Sequence, residues 1–274
     1  MNYMKKYALE NSTEFERLEK QSKVDSYNYE TELAGFHPKE NGTLLDAGCG
    51  SGIVSRYLAT LYPSAQVIGC DFSAERVKQA SEAASSFTNL KFQAEDLTRL
   101  SIPNATLDAV VCRYVLEHIA DETACVTALK QLHRAMKPGG KLCVVDLDGF
   151  MHNLYPQTPL VESFYKRLAS ERPLDLFIGR KLPEYIKKAG FTDISWDIQT
   201  LTFQHGEKLD IELDLLSEKY AQAMPFITSF FGGDSEKARQ MVVEYFECAR
   251  KEGSVLFYNK FIIHAKKTGL SRIE

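Results

Sequence analysis

The chain has 274 residues, 44% of them apolar, enough to bury a sizeable core as one enlarged domain or as a domain with a cap. Its formal net charge is −4 and its basic residues form no run longer than adjacent pairs such as Lys187-Lys188 and Lys266-Lys267, which disfavours nucleic acid, since duplex and tRNA binders carry a basic stripe. No apolar run approaches the ~20 residues that span a bilayer, and the six cysteines, Cys49, Cys70, Cys112, Cys125, Cys143 and Cys248, include no C-x-x-C pair, so neither a disulfide framework nor a zinc site is indicated.

In chain order, Met1 to Lys6 carries charge with no apolar h-region behind it, so no secretion signal is visible and a reduced, cytoplasmic protein is expected. Thr13-Glu14-Phe15-Glu16 has capping-box form, Glu16 lying three residues after Thr13. Phe15, Leu18 and Val24 then predict the apolar stripe of a helix. The next segment is the most informative. Leu44-Leu45-Asp46-Ala47-Gly48-Cys49-Gly50-Ser51-Gly52 reads as a buried strand that ends in an acid and runs into three alternating glycines. From Ile53 onward the spacing predicts a helix with Ile53, Val54, Tyr57, Leu58 and Leu61 on one face. Glycine admits positive φ and lets a ligand approach without meeting a Cβ. A helix start offers N–H groups to a polar or anionic ligand.

The second run, Ala65 to Cys70, ends in Asp71-Phe72-Ser73. An acid at the tip of a second parallel strand can accept two hydrogen bonds from a ribose diol, or it can serve as a loop carboxylate. Ser73 already suits the cap of the helix carrying Val77, Ala80 and Ala84. Phe72 is placed either against an adenine face or in the core. The third run, Leu90 to Ala94, leads to Glu95-Asp96-Leu97. A carboxylate there can accept adenine's exocyclic amine while Leu97 supplies apolar contact, or it is a solvated loop acid.

The fourth run, Leu107 to Cys112, reaches Arg113-Tyr114-Val115-Leu116-Glu117-His118. Asp121 is the expected cap of a helix burying Val126, Leu129, Leu132 and Met136. Lys137-Pro138-Gly139-Gly140 should end that helix, and Lys141 to Asp146 forms a fifth strand. Strands alternating with helices in this order give a doubly wound α/β domain with a mostly parallel sheet. Gly48 to Gly52, Asp71, Asp96 and Arg113 all fall at the carboxyl ends of its strands, where such sheets bind ligands.

Leu44 to Asp146 resembles the core of the class I S-adenosylmethionine-dependent methyltransferases. Asp46-x-Gly48-x-Gly50-x-Gly52 fills that family's first motif, and Asp71 matches its ribose-binding acid. Glu95-Asp96 matches its adenine-side acid, and Leu132 to Gly140 its turn before strand five. Tyr114-Val115-Leu116-Glu117-His118-Ile119 is similar to the small-molecule branch that includes quinone-biosynthesis enzymes. The resemblance implies a Rossmann-like seven-stranded sheet, mostly parallel with an antiparallel last strand, and S-adenosyl-L-methionine as cofactor, with S-adenosyl-L-homocysteine as product. It implies a cofactor site made by Asp46, Gly48, Cys49, Gly50, Gly52, Asp71, Phe72, Glu95, Asp96, Leu97 and Arg113, with Gly48 and Gly50 near the methionine part. A leading helix often closes over the cofactor in this family, which makes Tyr7, Arg17 and Gln21 candidate lid contacts, with a plain surface helix as the alternative. A dehydrogenase shares the ribose acid, but its third glycine comes three residues after the second. Here that position is Ile53 and Gly52 comes two after Gly50.

Beyond strand five, 148–179 is long for a connection. Leu182 to Phe191 reads as a short helix with Pro in its first turn and Gly past its end. Ile194 to Phe203 and Val255 to Ala265 read as strands six and seven. The family joins those strands by a near-direct hairpin, whereas here 207–252 intervenes, with helical spacing at Leu213, Leu216, Tyr220 and at Met241, Val242, Tyr245, Phe246 around Gly232-Gly233. The expected organisation is a lid (1–40), a core (41–149), a cap insertion (150–179), a core continuation (180–206), a helical cap insertion (207–252) and the last strand with its tail (253–274). Tyr114, His152, Tyr155, Phe177, Arg180 and Tyr258 are grouped as a substrate pocket, with packing as the alternative for each. His118 and His152 are candidate bases, although a histidine after strand four can equally hydrogen-bond within its loop.

No N-P-P-Y phrase follows strand four, so methylation of adenine N6 or of glutamine loses support. The expected function is methyl transfer to a small-molecule acceptor, without metal, nucleic acid or membrane insertion. The alternative is a non-catalytic module that binds the same cofactor and regulates a partner.

Overall fold

The computed structural model describes residues 13–171 and 174–269; Tyr7 lies outside them. The continuous apolar runs of the sequence become β1 (Thr43–Ala47), β2 (Gln66–Asp71), β3 (Leu90–Ala94), β4 (Leu107–Arg113) and β5 (Met136–Asp148). These five pair in parallel in the order β3-β2-β1-β4-β5. Runs such as Leu107–Cys112 are buried along their whole length, as a sheet covered on both faces requires. β7 (Thr192–Phe203) and β8 (Val255–Lys266) complete the frame, with β8 antiparallel to β5 on one edge and to β7 on the other. The sheet is therefore doubly wound and Rossmann-like, as expected, with one addition. A two-residue strand, β6 (Leu154–Tyr155), continues the β5 edge of β8 by pairing with Val255 and Leu256, which raises the strand number from seven to eight.

Helices α3 (Ile53–Leu61), α4 (Ala74–Ala83), α5 (Glu122–Ala135) and α7 (Leu182–Lys188) flank the sheet. The local signals that start them hold. Ser73 Oγ accepts from the Arg76 N–H at 3.2 Å, and Asp121 Oδ1 accepts from the Ala124 N–H at 2.8 Å. Pro183 sits in the first turn of α7, and Gly190 follows its end at φ +100. The buried face of α3, however, is Val54, Ser55, Leu58 and Ala59, and Leu61 is exposed. The stripe is rotated because Ser55 turns inward to bond Asp46. β5 begins at Met136, before Pro138-Gly139-Gly140, and absorbs that turn as an irregularity in its pairing with β4.

The 148–179 connection holds α6 (Pro159–Glu171), and the 207–252 insertion is a hairpin of α8 (Glu207–Phe230) and α9 (Ser235–Arg250) turning at Gly232-Gly233. Together with β6 and the start of β8 these helices build their own apolar core, centred on Val161, Tyr165, Leu213, Tyr220, Met241 and Tyr245. Ahead of the sheet lie α1 (Glu14–Gln21) and α2 (Tyr29–Glu32). No helix among the described residues is long and apolar enough to cross a membrane.

Leu213 is fully buried in the cap core, so Leu213→Ala removes packing there and leaves a void. A loss of about 2–5 kcal/mol is expected, read as a lower midpoint in denaturant unfolding; an unchanged midpoint would show that the cap is not packed as described.

Candidate functional site

The loop after β1 fixes the site. Gly48 adopts φ +78 and runs so close to the β4 loop that a Cβ there would lie 2.2 Å from Val115 Cγ2. The Gly48 and Cys49 N–H groups both donate to the Cys70 carbonyl, at 2.7 and 2.8 Å. Gly50, at φ +53, donates its N–H to Asp71 Oδ2 at 3.0 Å. Gly52, at φ +76, is the N-cap of α3. Burial drives the Cys49 thiol well above its usual range, so it is a packing residue there and not a thiolate.

Asp46 is buried at the end of β1 and accepts a 2.6 Å bond from Ser55 Oγ. Burial pushes its carboxyl up to about 6, against the opposing pull of Ser55 and Arg113. The other oxygen of Asp71, Oδ1, accepts from Ser73 N–H at 2.9 Å and from Arg76 Nε at 3.2 Å. Phe72, beside it, is 58% exposed; it is not a core residue. Asp96 caps the short turn over Leu97–Arg99 by accepting from the Thr98 N–H and Oγ1 at 2.8 and 2.7 Å. Glu95 accepts from the Ser101 N–H at 2.9 Å.

These residues line one cavity of about 920 Å³, at the upper end of the ~300–1,000 Å³ usual for ligand sites. Asp46, Gly48, Cys49, Gly50, Asp71, Phe72, Glu95, Asp96, Leu97 and Arg113 all contribute to its wall, so ten of the eleven expected cofactor contacts share one space. Gly52 instead backs onto Phe92 and Ala80. Arg113 reaches the wall, but its donors are engaged elsewhere: it ion-pairs with Glu32 and donates to the Tyr27 carbonyl. That geometry makes it a brace for the N-terminal segment.

The roof is α1, and its orientation corrects the expected stripe. Its buried residues are Glu14 and Arg17, and Glu14, Arg17, Leu18 and Gln21 face the cavity. Arg17 holds Glu14 with two bonds of 2.7 and 2.8 Å and reaches Gln21 Oε1 at 2.6 Å. Phe15 is only half-buried, and the Thr13 side chain does not cap the helix. Arg17 and Gln21, the residues expected as lid contacts, line the cavity on the polar inner face of α1.

The far wall comes from the loop after β4. Tyr114 adopts φ +55, a strained conformation for a side chain of its size. It is held by its N–H to the Val145 carbonyl at 2.8 Å and its hydroxyl to Glu32 Oε1 at 2.7 Å. Asp146, buried at the end of β5, accepts from the Leu116 and Glu117 N–H groups at 3.0 and 3.2 Å. This fixes Glu117 and His118 in the wall, with His118 Nε2 3.3 Å from Glu117 Oε1. Burial lowers the His118 pKa despite Glu117, which keeps the ring neutral near pH 7.

The remaining residues grouped as a substrate pocket are not part of this cavity, Tyr114 excepted. His152 packs between Tyr165 and Phe177 in the cap, with centroids 5.6 and 4.9 Å away. Tyr155 is 74% exposed on β6. Arg180 forms an ion pair with Asp148 at 2.6 Å and lies over Phe177. Tyr258 is fully buried and bonded to Tyr27 and Glu212. Aromatic content marked the cap core and not the ligand space. Sequence reasoning missed Glu14, Arg76, Phe150 and Lys219 in the wall, since three of the four come from elements outside the recognisable core.

Asp46 carries a pH signature. Its folded pKa is raised, so the stability it contributes is present below its unfolded value near 3.8 and is lost as pH rises through about 6. Two pKa units correspond to about 3 kcal/mol. Asp46→Asn removes the titration. Relative to wild type, the ligand-free variant is expected to gain stability between pH 4 and 6.5 and to hold that gain above it. Parallel pH profiles for the two proteins in denaturant unfolding would contradict the assignment.

Comparison with known proteins places this geometry. Residues 44–140 match a family model described as a methyltransferase domain. The chain is 28% identical over 193 residues to phosphoethanolamine N-methyltransferase 1 of Arabidopsis thaliana, covering 70% of this chain and 36% of that protein. It is 35% identical over 127 residues to 2-methyl-6-phytyl-1,4-hydroquinone methyltransferase of Synechocystis, covering 46% and 39%. The chain thus spans less than half the length of these curated relatives. Among solved structures, phosphoethanolamine N-methyltransferase 2 of Haemonchus contortus superposes with a TM-score of 0.58 at 22% identity, covering 88% of this chain and 53% of that one. YcgJ of Bacillus subtilis gives 0.59 at 18% identity, covering 87% and 97%; these two likenesses concern the fold. Motif, sheet order and family match agree: residues 44–140 are similar to a methyltransferase domain, and the fold around them is the one shared with these solved structures.

Proposed function

We propose that this protein transfers a methyl group from S-adenosylmethionine to a small-molecule acceptor held between the glycine loop, the β4 loop and the cap. The observation that carries the reading is the cradle at Gly48 and Gly50. A Cβ at Gly48 would collide with Val115 and one at Gly50 would lie 2.9 Å from Leu18 Cδ1, so only glycine brings the backbone this close, and the loop shares one cavity with Asp71, Phe72 and Asp96. Those residues fit the cofactor's parts. Asp71 is an acceptor for the ribose diol, the exposed ring of Phe72 offers a face for adenine, and Asp96 with Leu97 offers an acceptor and apolar contact at the adenine edge. Gly48 and Gly50 admit the methionine portion.

A sulfonium supplies an already activated methyl group, so the protein's tasks are alignment and exclusion of water. Alignment falls to the β4 loop, whose backbone Asp146 fixes. Exclusion falls to α1 and to Phe150. His118, neutral near pH 7 and set beside Glu117, is the group placed to take a proton from a hydroxyl acceptor. The relatives named above act on an amine and on a hydroquinone, so chemistry at N, O or C lies within the reach of this scaffold. The cavity also extends past the cofactor residues to Glu117, Phe150 and Lys219, which supports an enzyme over a binding module.

Asp71→Ala tests the site. A drop in affinity for S-adenosylhomocysteine of at least tenfold is expected by isothermal calorimetry. Methyl transfer from labelled cofactor, screened over amine, phenol and carboxylate acceptors, should fall with it. Near-normal affinity in the variant would remove the site assignment.

A further inference from the structure

Among the described residues, four cations line the cavity: Arg17, Arg76, Arg113 and Lys219. Three are matched by a carboxylate. Arg17 pairs with Glu14, Arg76 with Asp71 at 3.1 Å, and Arg113 with Glu32. Lys219 is different. Among the described residues no carboxylate lies within 4.0 Å of its Nζ, and it donates no hydrogen bond within the protein. Its one close polar partner is the face of Phe150, whose ring centroid is 4.3 Å from Nζ.

The acids nearest to it have other partners. Glu14 is chelated by Arg17, Glu212 accepts from Tyr27 and Tyr258, and Glu117 stands against His118 Nε2. Lys219 is half-buried in the cavity wall, and a cation that has lost part of its water without gaining an acceptor is costly. A ring face offsets only about 0.5–2 kcal/mol of that. Burial accordingly depresses the Lys219 pKa, with Glu117 pulling the other way. An arrangement that leaves a cation unmatched inside a ligand cavity is complementary to an anion that arrives with the ligand. The acids expected to meet ribose and adenine, Asp71 and Asp96, lie at the carboxyl ends of β2 and β3, whereas Lys219 comes from α8; if the cation instead served the cofactor's own carboxylate, its loss would weaken S-adenosylhomocysteine binding.

We propose that Lys219 receives an anionic group, a carboxylate or a phosphate, carried by the methyl acceptor, and that the inserted α8 thereby restricts the enzyme to anionic small molecules. The inference rests on the methyl-transfer reading of the same cavity. Phe150 holds the ammonium on one side, and the acceptor's anion takes the other. Its nucleophile then lies toward Glu117 and His118 in the same wall.

The test uses the full chain loaded with S-adenosylhomocysteine and titrated by calorimetry with benzoate, with inorganic phosphate and with neutral benzamide. Wild type is expected to bind one of the anions saturably at one site and not to bind benzamide. Lys219→Gln should weaken that anion at least tenfold, Lys219→Arg should restore most of it, and both should keep wild-type affinity for S-adenosylhomocysteine and an unchanged melting temperature. Preference for benzoate identifies a carboxylate acceptor, and preference for phosphate a phosphorylated one. Binding of S-adenosylhomocysteine with no anion binding, or equal anion affinity in Lys219→Gln, overturns the role of Lys219 alone. Failure of the wild type to bind S-adenosylhomocysteine overturns the reading beneath it.

Discussion

The path of the backbone from Ala47 to Ile53 constrains everything else in the cavity. It must leave β1, pass within touching distance of Val115 and enter α3, and only glycine allows the sequence of positive φ angles this requires at Gly48, Gly50 and Gly52. Two neighbours on β2 lock the path. The Cys70 carbonyl takes the Gly48 and Cys49 N–H groups, and the Asp71 carboxylate takes that of Gly50. Asp71 therefore acts twice, as the strut that sets the loop and as the acid presented to the cavity. Arg76 and the Ser73 N–H hold its second oxygen, so the carboxylate is fully oriented before any ligand meets it.

A second set of buried polar contacts decides how the cavity is closed. Glu32 at the end of α2 is almost wholly buried. It is met by Arg113 from β4, the Tyr114 hydroxyl, and Lys260 of β8 at 2.6 Å. Nearby, Tyr27 bonds Tyr258 at 3.1 Å and Glu212 at 3.2 Å. These contacts join the N-terminal segment, β8 and α8. Breaking one member of a buried charged set leaves its partners uncompensated, at a cost of about 3–5 kcal/mol. The segment that follows α1 is thus anchored to the sheet and the cap through specific side chains, and α1 itself is tied to α8 by Lys20–Glu218 and to α3 by Glu19–Arg56, at 2.8 Å each.

What the sequence made legible was local. Apolar runs, the glycine loop, the serine and aspartate caps at Ser73 and Asp121, and the Pro183–Gly190 brackets of α7 each depend on residues a few positions apart. The cofactor side of the cavity follows from them, because Asp71 and Asp96 sit at strand ends whatever the rest of the chain does. Features set by distant contacts were not legible. Arg113 stands where a cofactor contact is expected, but its partner Glu32 lies 81 residues away. Aromatic side chains such as Tyr258 and His152 look alike in sequence whether they line a pocket or fill a core. Their burial among α6, α8 and α9 is decided by how the cap folds back on β8. β6 is too short for any alternation to announce it, and Lys219 is an ordinary helical lysine until the cavity around it is seen.

The most direct measurement is thermal unfolding of the full chain alone and with saturating S-adenosylmethionine, S-adenosylhomocysteine or NAD. A ligand at 100 times its Kd stabilises by about 2.7 kcal/mol, which for a chain of this size is on the order of 5–10 °C in melting temperature. A shift of that size with the two sulfur compounds and none with NAD is the expected result. A shift with NAD alone, or none with either sulfur compound, would contradict the central claim that the glycine loop, Asp71 and Asp96 form a methyl-donor site.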